Sequence, residues 1–344
     1  MTYFKERDLN NLKRLERLKG MIPPFCGEFF LGIAQRTSTL TRVNYAYDLR
    51  MFFQFLTTEV EDFIDKKPAD IKSEHLNVLT TQDVELYAQW LDRREDNGKS
   101  MANKPTTKMR KLATLRTFFA FLFKREKIDK NIMPNVDLPK LHERPITRLD
   151  KPEIKRVLET VAEGDGLTMG QQRFVKNTLR DQTIIIFFLT TGIRVSELVG
   201  LDTGDIDLKN ASFKVTRKGG NQEILFMPEE LQEQLATYIE HIGYEPSDKS
   251  TPLFKSLQGK RICVRAVQNL VKKYASIAVP LKKISPHKLR STFGTNLYRA
   301  TGDIYVVANV LGHRDVNTTK KHYAAITDDI RREAAKKVRL MDDE

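Results

Sequence analysis

A proline-rich segment divides this sequence into two parts and limits what can fold across the division. Residues 133–145, MPNVDLPKLHERP, contain three prolines and show little periodicity. Proline fixes its own φ angle and has no N–H to donate, so regular helix or sheet does not continue through such a segment. At 344 residues the chain can form two domains with a core each. The sequence therefore predicts a first domain over 1–133, a linker over 134–148, a second domain over 149–326 and a final helix over 327–344.

Hydrophobic periodicity predicts that both domains are mainly α. In TRVNYAYDLRMFFQFL (41–56) and TTKMRKLATLRTFFAFLFKREK (106–127), apolar residues recur at helical spacing. The residues on these stripes, which we expect in the core and not as base-stacking platforms, are Tyr45, Leu49, Phe52, Leu56, Leu112, Leu115, Phe119 and Leu122. The second domain carries one β-hairpin signal, SFKVTRKGGNQEILFMP, with a Lys-Gly-Gly-Asn turn.

The charge balance favours a polyanionic partner. The chain has 58 Lys+Arg against 45 Asp+Glu, a net charge of +13, and its pI is near 9.5. Such an excess is typical of nucleic-acid binding and predicts affinity that falls steeply with salt. A solvated basic face is the alternative. The candidate DNA-binding residues of the first domain are Lys104, Lys108, Lys111, Arg116 and Arg42.

Nothing in the sequence predicts secretion or membrane insertion. The amino-terminal segment is charged and lacks an apolar core of signal-peptide length, and the longest apolar run, 184–189, is too short to span a bilayer. Cys26 and Cys263 are far apart and outside any CxxC pattern. We therefore expect two structural thiols and a cytoplasmic location.

Two segments of the second domain place paired polar side chains on a helix. In TGIRVSEL, Arg194 and Glu197 are three residues apart and share a helical face. They form either a simple intrahelical ion pair or an arginine aimed at an anion and steadied by Glu197. In ISPHKLRSTF, a serine and a proline predict a helix start followed by His287 and Arg290. Because a helix amino terminus attracts anions, anion binding is favoured over a histidine that only caps a carbonyl.

Three further residues complete the candidate set. Lys218 lies at the predicted hairpin tip, where a lysine is usually just solvated. In VLGHRDVNTTKKHY a helix ends at Gly312, His313 follows in a loop, and Tyr323 lies about one turn into the next helix. Guanidinium groups bind phosphate bidentately, and no acidic cluster with a metal-binding spacing is present. We therefore expect phosphate chemistry without metal or cofactor.

These segments, in this order, resemble the tyrosine recombinases (phage integrase family) over nearly the whole chain. The matching motifs are TGIRVSEL, TRKGG, SPHKLRSTFGTNL, LGHRDVNTT and Tyr323, with one residue more than usual between His313 and Tyr323. Within the family, LKGMIPPFCGEFF, GDGLT and TGIRVSELVGLD resemble the single-protein Xer recombinases most. Integrases of mobile elements share the same motifs and remain an alternative.

The resemblance implies a helical SAM-like core-binding domain and a mostly α catalytic domain with a small β-hairpin, forming a C-shaped clamp on DNA. It implies that Arg194, Arg290 and His313 hold the phosphate, that His287 relays a proton, that Lys218 protonates the leaving 5′-oxygen, and that Tyr323 is the nucleophile. The product would be a 3′-phosphotyrosine.

The resemblance also implies partners and a biological role. We expect double-stranded DNA with an inverted-repeat site, a homotetramer on two duplexes, a possible accessory protein, and work on the bacterial nucleoid in chromosome dimer resolution. A type IB topoisomerase-like enzyme and an inactive DNA-binding regulator are the other readings of the same residues. The tail 327–344, with an apolar stripe at Ile330, Ala334, Val338 and Met341, either docks in a neighbouring subunit or packs on its own domain.

Overall fold

The computed structural model describes residues 2–93, 95–96, 99–100, 103–138, 147–164, 166–167, 177–217, 219–243, 248–313 and 316. Contacts within the chain divide it into two units, Met1–Glu143 and Arg144–Glu344. The division falls inside the segment predicted as a linker, while the bounds predicted for the domains stay a prediction. Both units are mostly helical, and the second holds a small antiparallel sheet, which confirms the predicted fold class.

The first unit is a helical bundle. Its helices are α1 (Tyr3–Lys19), α2 (Cys26–Gly32), α3 (Thr39–Glu59), α4 (Thr81–Arg93) and α5 (Pro105–Lys124). Short 3₁₀ turns lie at Glu61–Phe63, Pro68–Asp70, Ser73–Val78 and Met133–Asn135, and a two-residue ladder pairs β1 (Glu95–Asp96) with β2 (Lys99–Ser100). Ser38 caps α3 by accepting a hydrogen bond from the Thr41 amide at 3.2 Å. Pro105 begins α5 at a position where its missing N–H costs nothing.

The predicted apolar stripes form the core of this unit. Seven of the eight residues are buried and the eighth, Tyr45, packs against the same cluster. The core is aromatic: Phe29 meets Phe118 edge-on with ring centroids 5.2 Å apart, and Phe52 meets Tyr87 in the same way at 5.4 Å. The interpretation of these aromatics as core residues is therefore confirmed.

Three helices of the second unit pack around a buried helix of the same unit. Its helices are α6 (Lys151–Glu163), α7 (Thr178–Thr191), α8 (Val195–Leu198), α9 (Glu229–His241), α10 (Val264–Ala278), α11 (Pro286–Thr301) and α12 (Ile304–Leu311), with a 3₁₀ turn at Thr203–Asp205. α7 carries the apolar run predicted from the sequence and packs against α6, α9 and α11. A helix enclosed on several sides has no polar face to keep, which explains why this run lacks clear periodicity.

The sheet of this unit contains the predicted hairpin. β3 (Ile206–Asp207), β4 (Ser212–Thr216) and β5 (Gln222–Phe226) lie in that order and are all antiparallel. Thr216 is paired with Gln222, and the turn is closed by the Arg217 amide donating to the Asn221 carbonyl at 2.7 Å. Among the residues that the structure describes, no helix has the length and apolar character needed to cross a bilayer.

Candidate active site

The carboxyl end of α12 is the point where the candidate site is assembled. The last carbonyls of an α-helix have no partner inside the helix, and the helix dipole makes this end negative. Three consecutive carbonyls here accept hydrogen bonds from three guanidinium groups: that of Val310 from Arg217 at 3.2 Å, that of Leu311 from Arg290, and that of Gly312 from Arg194 at 2.9 Å. The two predicted catalytic arginines are therefore brought together on neighbouring backbone groups.

Arg194 is held from two sides. It precedes the short helix α8, and its amide and its Nη1 both donate to Glu197, at 2.9 and 2.8 Å. The Glu197 carboxylate is buried, so the charged pair is shielded from water on that side. The Arg194 side chain itself keeps 34% of its surface exposed. Because a guanidinium has five N–H donors, Arg194 has donors left over for an anion while Glu197 and Gly312 fix its orientation.

Arg290 is buried at 5% exposure and connects two helix ends. Its Nη1 donates to the Gly192 carbonyl at 2.5 Å, just beyond the end of α7, in addition to its bond with Leu311. Gly192 has a φ of +61°, and a Cβ there would lie 2.4 Å from Phe293 on α11. Only glycine fits this turn, which brings the residues before Arg194 close to the helix that carries Arg290.

The two histidines differ in their surroundings. α11 begins at Pro286 after Ser285, as predicted, although the Ser285 side chain makes no capping hydrogen bond. His287 lies in the first turn of that helix and is exposed. His313 is half-buried, and its amide donates to the Ala308 carbonyl at 2.9 Å, in the turn that ends α12.

Gly312 determines the geometry of that turn. Its φ is +60°, in the left-handed region. A Cβ built on it would lie 2.9 Å from Cζ of Arg217. The backbone here is therefore packed directly against a guanidinium, one residue before His313.

Arg217 is a residue that the sequence analysis missed. It is 9% exposed and donates through Nε to Glu223 at 2.7 Å and through Nη1 to Glu197 at 3.2 Å. Strand alternation was the available signal, since Phe213 and Val215 are buried and Arg217 is next on the same face. The sequence analysis gave a role to the neighbouring Lys218 and none to Arg217. Glu197, predicted as a support for one arginine, accepts from two.

Part of the predicted set lies outside the described residues. Lys218, Tyr323 and the tail 327–344 are in this position, so their assignments stay predictions. Within the part of the chain that the structure describes, no group of three or more His, Cys, Asp or Glu side chains could hold a metal ion. The expectation of chemistry without metal or cofactor also stays a prediction.

The candidate DNA-binding residues of the first unit differ in how far protein groups already surround their side chains. Lys104 is exposed immediately before α5. Lys108 pairs with Asp92 at 2.7 Å, and Arg116 donates to the carbonyl of Val136 at 3.2 Å. Arg42 is half-buried, with its Nε atom enclosed. Lys104 is thus the member of this set most available to a phosphate in the structure as it stands.

Lys111 is held in the interior of the first unit. It is 6% exposed, and its Nζ lies 3.2 Å from Oδ1 of the buried Asp48 on α3. Asp48 also accepts from Arg110 and, at 2.8 Å, from Thr114. A buried carboxylate with several donors is a structural junction between α3 and α5. These contacts favour a structural role for Lys111 over the predicted contact with DNA.

The expectation of two structural thiols holds for one of the two cysteines and not for the other. Cys26 is fully buried, and burial raises the pKa of its thiol well above the ordinary value. Cys263 is exposed immediately before α10. Only Cys26 is a core residue.

The chain matches known families in both units. Residues 147–329 match the phage integrase family, and residues 28–126 match its N-terminal SAM-like domain. A tyrosine recombinase XerC from Caldanaerobacter subterraneus subsp. tengcongensis is 34% identical over 335 residues, which cover 95% of this chain and 89% of that protein. A tyrosine recombinase XerC from Syntrophus aciditrophicus is 30% identical over 301 residues, covering 86% and 90%.

Solved structures share the fold at lower identity. A XerH site-specific recombinase bound to a palindromic difH substrate, in a post-cleavage complex, gives a TM-score of 0.62 at 18% identity and covers 90% of this chain and 83% of that one. The Tn1549 transposon integrase in complex with circular intermediate DNA gives 0.60 at 20% identity, covering 87% and 94%. A lambda integrase tetramer bound to a Holliday junction gives 0.61 at 16% identity, covering 87% and 76%. The family match over more than half of the chain, together with the relative that is similar from end to end, establishes that this chain belongs to the phage integrase family, the tyrosine recombinases, an enzyme class of DNA strand transferases.

Proposed function

We propose that this protein is a site-specific recombinase of the Xer type. It cleaves and rejoins DNA through a 3′-phosphotyrosine intermediate and resolves chromosome dimers. Its substrate is double-stranded DNA with an inverted-repeat site, and the active assembly is a homotetramer on two duplexes. The observation that carries the proposal is the joint anchoring of Arg194 and Arg290 on consecutive carbonyls at the end of α12.

That arrangement suits an anion with two equivalent oxygens. Attack on a phosphodiester increases the negative charge on its two non-bridging oxygens, and fixed guanidinium groups stabilise that charge without having to reorganise. Arginine stays charged at any physiological pH and presents its donors in a planar fork. Arg194 and Arg290 therefore hold the non-bridging oxygens, with His313 as a further donor.

The remaining roles follow the chemistry of the reaction. Tyrosine is a weak nucleophile at neutral pH because its ordinary pKa is near ~10, so the phenol needs positive surroundings and a proton acceptor. We assign the nucleophile to Tyr323, the proton relay to His287, and the protonation of the leaving 5′-oxygen to Lys218. The bond energy is kept in the phosphotyrosine until a 5′-hydroxyl from the second duplex attacks it.

The Xer assignment is supported by the relatives named XerC, which match along most of the chain. The integrase of a mobile element is a second candidate, because the Tn1549 transposon integrase shares the fold. Both use the same active site, so only the DNA site and its position in the genome separate them.

Covalent capture on the host's genomic DNA tests the proposal. The protein is incubated with sheared genomic DNA, the reaction is stopped with denaturant, and the protein-linked fragments are sequenced. Tyr323→Phe removes the proposed nucleophile. Tyr305→Phe is the matched control, because it deletes the same hydroxyl from a tyrosine that is 63% exposed on α12.

The expected result is one dominant inverted-repeat site, linked through its 3′-phosphate, present with the wild type and Tyr305→Phe and absent with Tyr323→Phe. A position near the replication terminus supports dimer resolution, whereas a position at the edge of an element supports integration. Adducts spread over the whole genome would replace the proposal with topoisomerase-like nicking. DNA binding without any adduct would leave a DNA-binding regulator.

A further inference from the structure

Arg217 is buried at the point where the hairpin leaves the body of the second unit. β4 ends at Thr216, and the alternation of the strand turns the Arg217 side chain inward. Arginine is rarely this buried unless it is paired, so its partners indicate why it is there.

Those partners belong to three different segments. Within the hairpin, Nε donates to Glu223 on β5 at 2.7 Å. Towards α8, Nη1 donates to Glu197 at 3.2 Å, and towards the end of α12, Nη2 donates to the Val310 carbonyl at 3.2 Å. One guanidinium thus connects the hairpin with the segment that positions Arg194 and the segment that leads to His313.

Beyond Arg217, the described part of the hairpin tip contains two consecutive glycines. Gly219 and Gly220 are exposed, have φ values of +95° and +87°, and would have nothing within 4 Å of an added Cβ. Arg194, in contrast, has bonds of its own to Glu197, through its amide and its Nη1, and to the Gly312 carbonyl. The contribution of Arg217 is therefore greatest for the hairpin.

We propose that Arg217 is a positioning residue that anchors the hairpin and acts on the reaction through Lys218. This inference rests on the proposed function, in which Lys218 protonates the leaving oxygen. In that step the Tyr323 phenol gives its proton to His287, the Oη–P bond forms, the P–O5′ bond breaks, and the released 5′-oxygen takes a proton from the Lys218 ammonium. A misplaced lysine slows the step while the phosphate remains bound.

A sulfur atom in place of the bridging 5′-oxygen tests this route. Alkyl thiols have a pKa near ~8.5, so a thiolate leaves without needing a proton. A variant that is defective because Lys218 is misplaced should recover on the 5′-phosphorothiolate substrate. A variant whose fold or phosphate clamp is damaged should stay slow on both substrates.

Arg217→Met is the test variant, since methionine fills similar space without N–H donors. Lys214→Met is the matched control, because Lys214 is on the same strand but exposed, with its ammonium 3.2 Å from Asp205. Two quantities are measured on a duplex that contains the captured site: the single-turnover cleavage rate and the DNA affinity. Small displacements of a catalytic group cost ~10²-fold in rate. We expect Arg217→Met to lose about that factor on ordinary DNA, to keep its affinity and to recover on the sulfur substrate, with Lys214→Met unchanged.

A second readout does not depend on activity. The Gly220 amide donates to the Arg217 carbonyl at 3.1 Å inside the turn. Hydrogen–deuterium exchange at the hairpin tip should accelerate in Arg217→Met while α7 keeps its protection. If Arg217→Met does not fold, Arg217→Lys is used, because one ammonium cannot replace a fork with three acceptors.

Two results would overturn the inference: unchanged exchange at the tip, or a rate defect that the sulfur substrate fails to relieve. If the wild type cleaves no DNA, the proposed function fails. The exchange experiment then still decides whether Arg217 anchors the hairpin.

Discussion

Substituting Gly312 with alanine probes the contact between the end of α12 and Arg217. Alanine at a φ of +60° is strained wherever it occurs. At Gly312 the new methyl group would also lie 2.9 Å from Cζ and 3.1 Å from Nε of Arg217. The guanidinium cannot withdraw easily, because Glu223, Glu197 and Val310 hold it on three sides.

Gly302 provides a matched comparison. It ends α11 with a φ of +66°, and an added Cβ would have nothing within 4 Å. Left-handed backbone costs a non-glycine residue roughly 1–2 kcal/mol, and the loss of unfolded-state freedom returns about 0.4–1 kcal/mol. We therefore expect Gly302→Ala to lower the free energy of unfolding by about 1 kcal/mol. Overpacking adds roughly 1–3 kcal/mol, so Gly312→Ala should cost about 2–4 kcal/mol.

Denaturant unfolding, monitored with two spectroscopic signals, distinguishes the unfolding of one unit from that of the other. The chain has a single tryptophan, Trp90, on α4 of the first unit, so its fluorescence reports on that unit. Far-UV circular dichroism reports on both units. Both variants should leave the Trp90 transition in place and shift the remaining dichroism transition, with the larger shift for Gly312→Ala. Equal shifts for the two variants would refute the packing of Gly312 against Arg217.

Three further predictions concern other parts of the chain. Lys104→Gln should weaken DNA binding uniformly over sequences and reduce the slope of log affinity against log salt by about 1, measured by fluorescence anisotropy across a salt series; an unchanged slope would remove Lys104 from the DNA surface. Asp48→Ala should lower the free energy of unfolding reported by Trp90 by about 3–5 kcal/mol, because the buried Lys111 ammonium loses its acceptor. A change below about 1 kcal/mol would contradict that role. Under native conditions one thiol, Cys263, should react with a maleimide while Cys26 stays protected up to alkaline pH, since burial raises its pKa. The Cys26 thiol loses its proton at a lower pH in the unfolded state than in the folded state, so the free energy of unfolding should fall as the pH rises above ~8.5. Mass spectrometry of labelled peptides checks the reactivity, and unfolding curves across the pH range check the stability.

The features that local patterns encode could be predicted from the sequence. Helical spacing placed Leu49 and Phe119 in the core. The three-residue interval between Arg194 and Glu197 predicted that they interact, and they form an ion pair, although Arg194 caps the start of α8 and does not share a helical face with Glu197. The Lys-Gly-Gly-Asn turn predicted the hairpin, because glycine accepts the positive φ that a tight turn needs. In each case the residues that interact are close together in the chain.

The features that depend on distant partners could not be predicted in this way. Lys111 was counted among the basic residues of α5, but its charge is held by Asp48, 63 positions earlier. Arg194 donates to Gly312 from 118 positions away, and no local periodicity relates the two. Such contacts are set by helix packing, and a single sequence gives no measure of it.

The end of α12 shows why the site is already arranged before DNA binds. Three guanidinium groups, those of Arg194, Arg217 and Arg290, converge there with the carboxylates of Glu197 and Glu223. The carboxylates do not fully balance the cations, and the negative helix end offsets only part of what remains. Holding this positive charge in place costs folding free energy, but it spares the cost of orienting the arginines during the reaction. The roles also divide: Arg217 is enclosed by protein acceptors, whereas Arg194 is one-third exposed with donors left over. The three protein acceptors of Arg217 therefore indicate a structural role, whereas the partly exposed guanidinium of Arg194 is available to the phosphate of the proposed reaction. Burial alone does not separate the two roles, since Arg290 is buried as well.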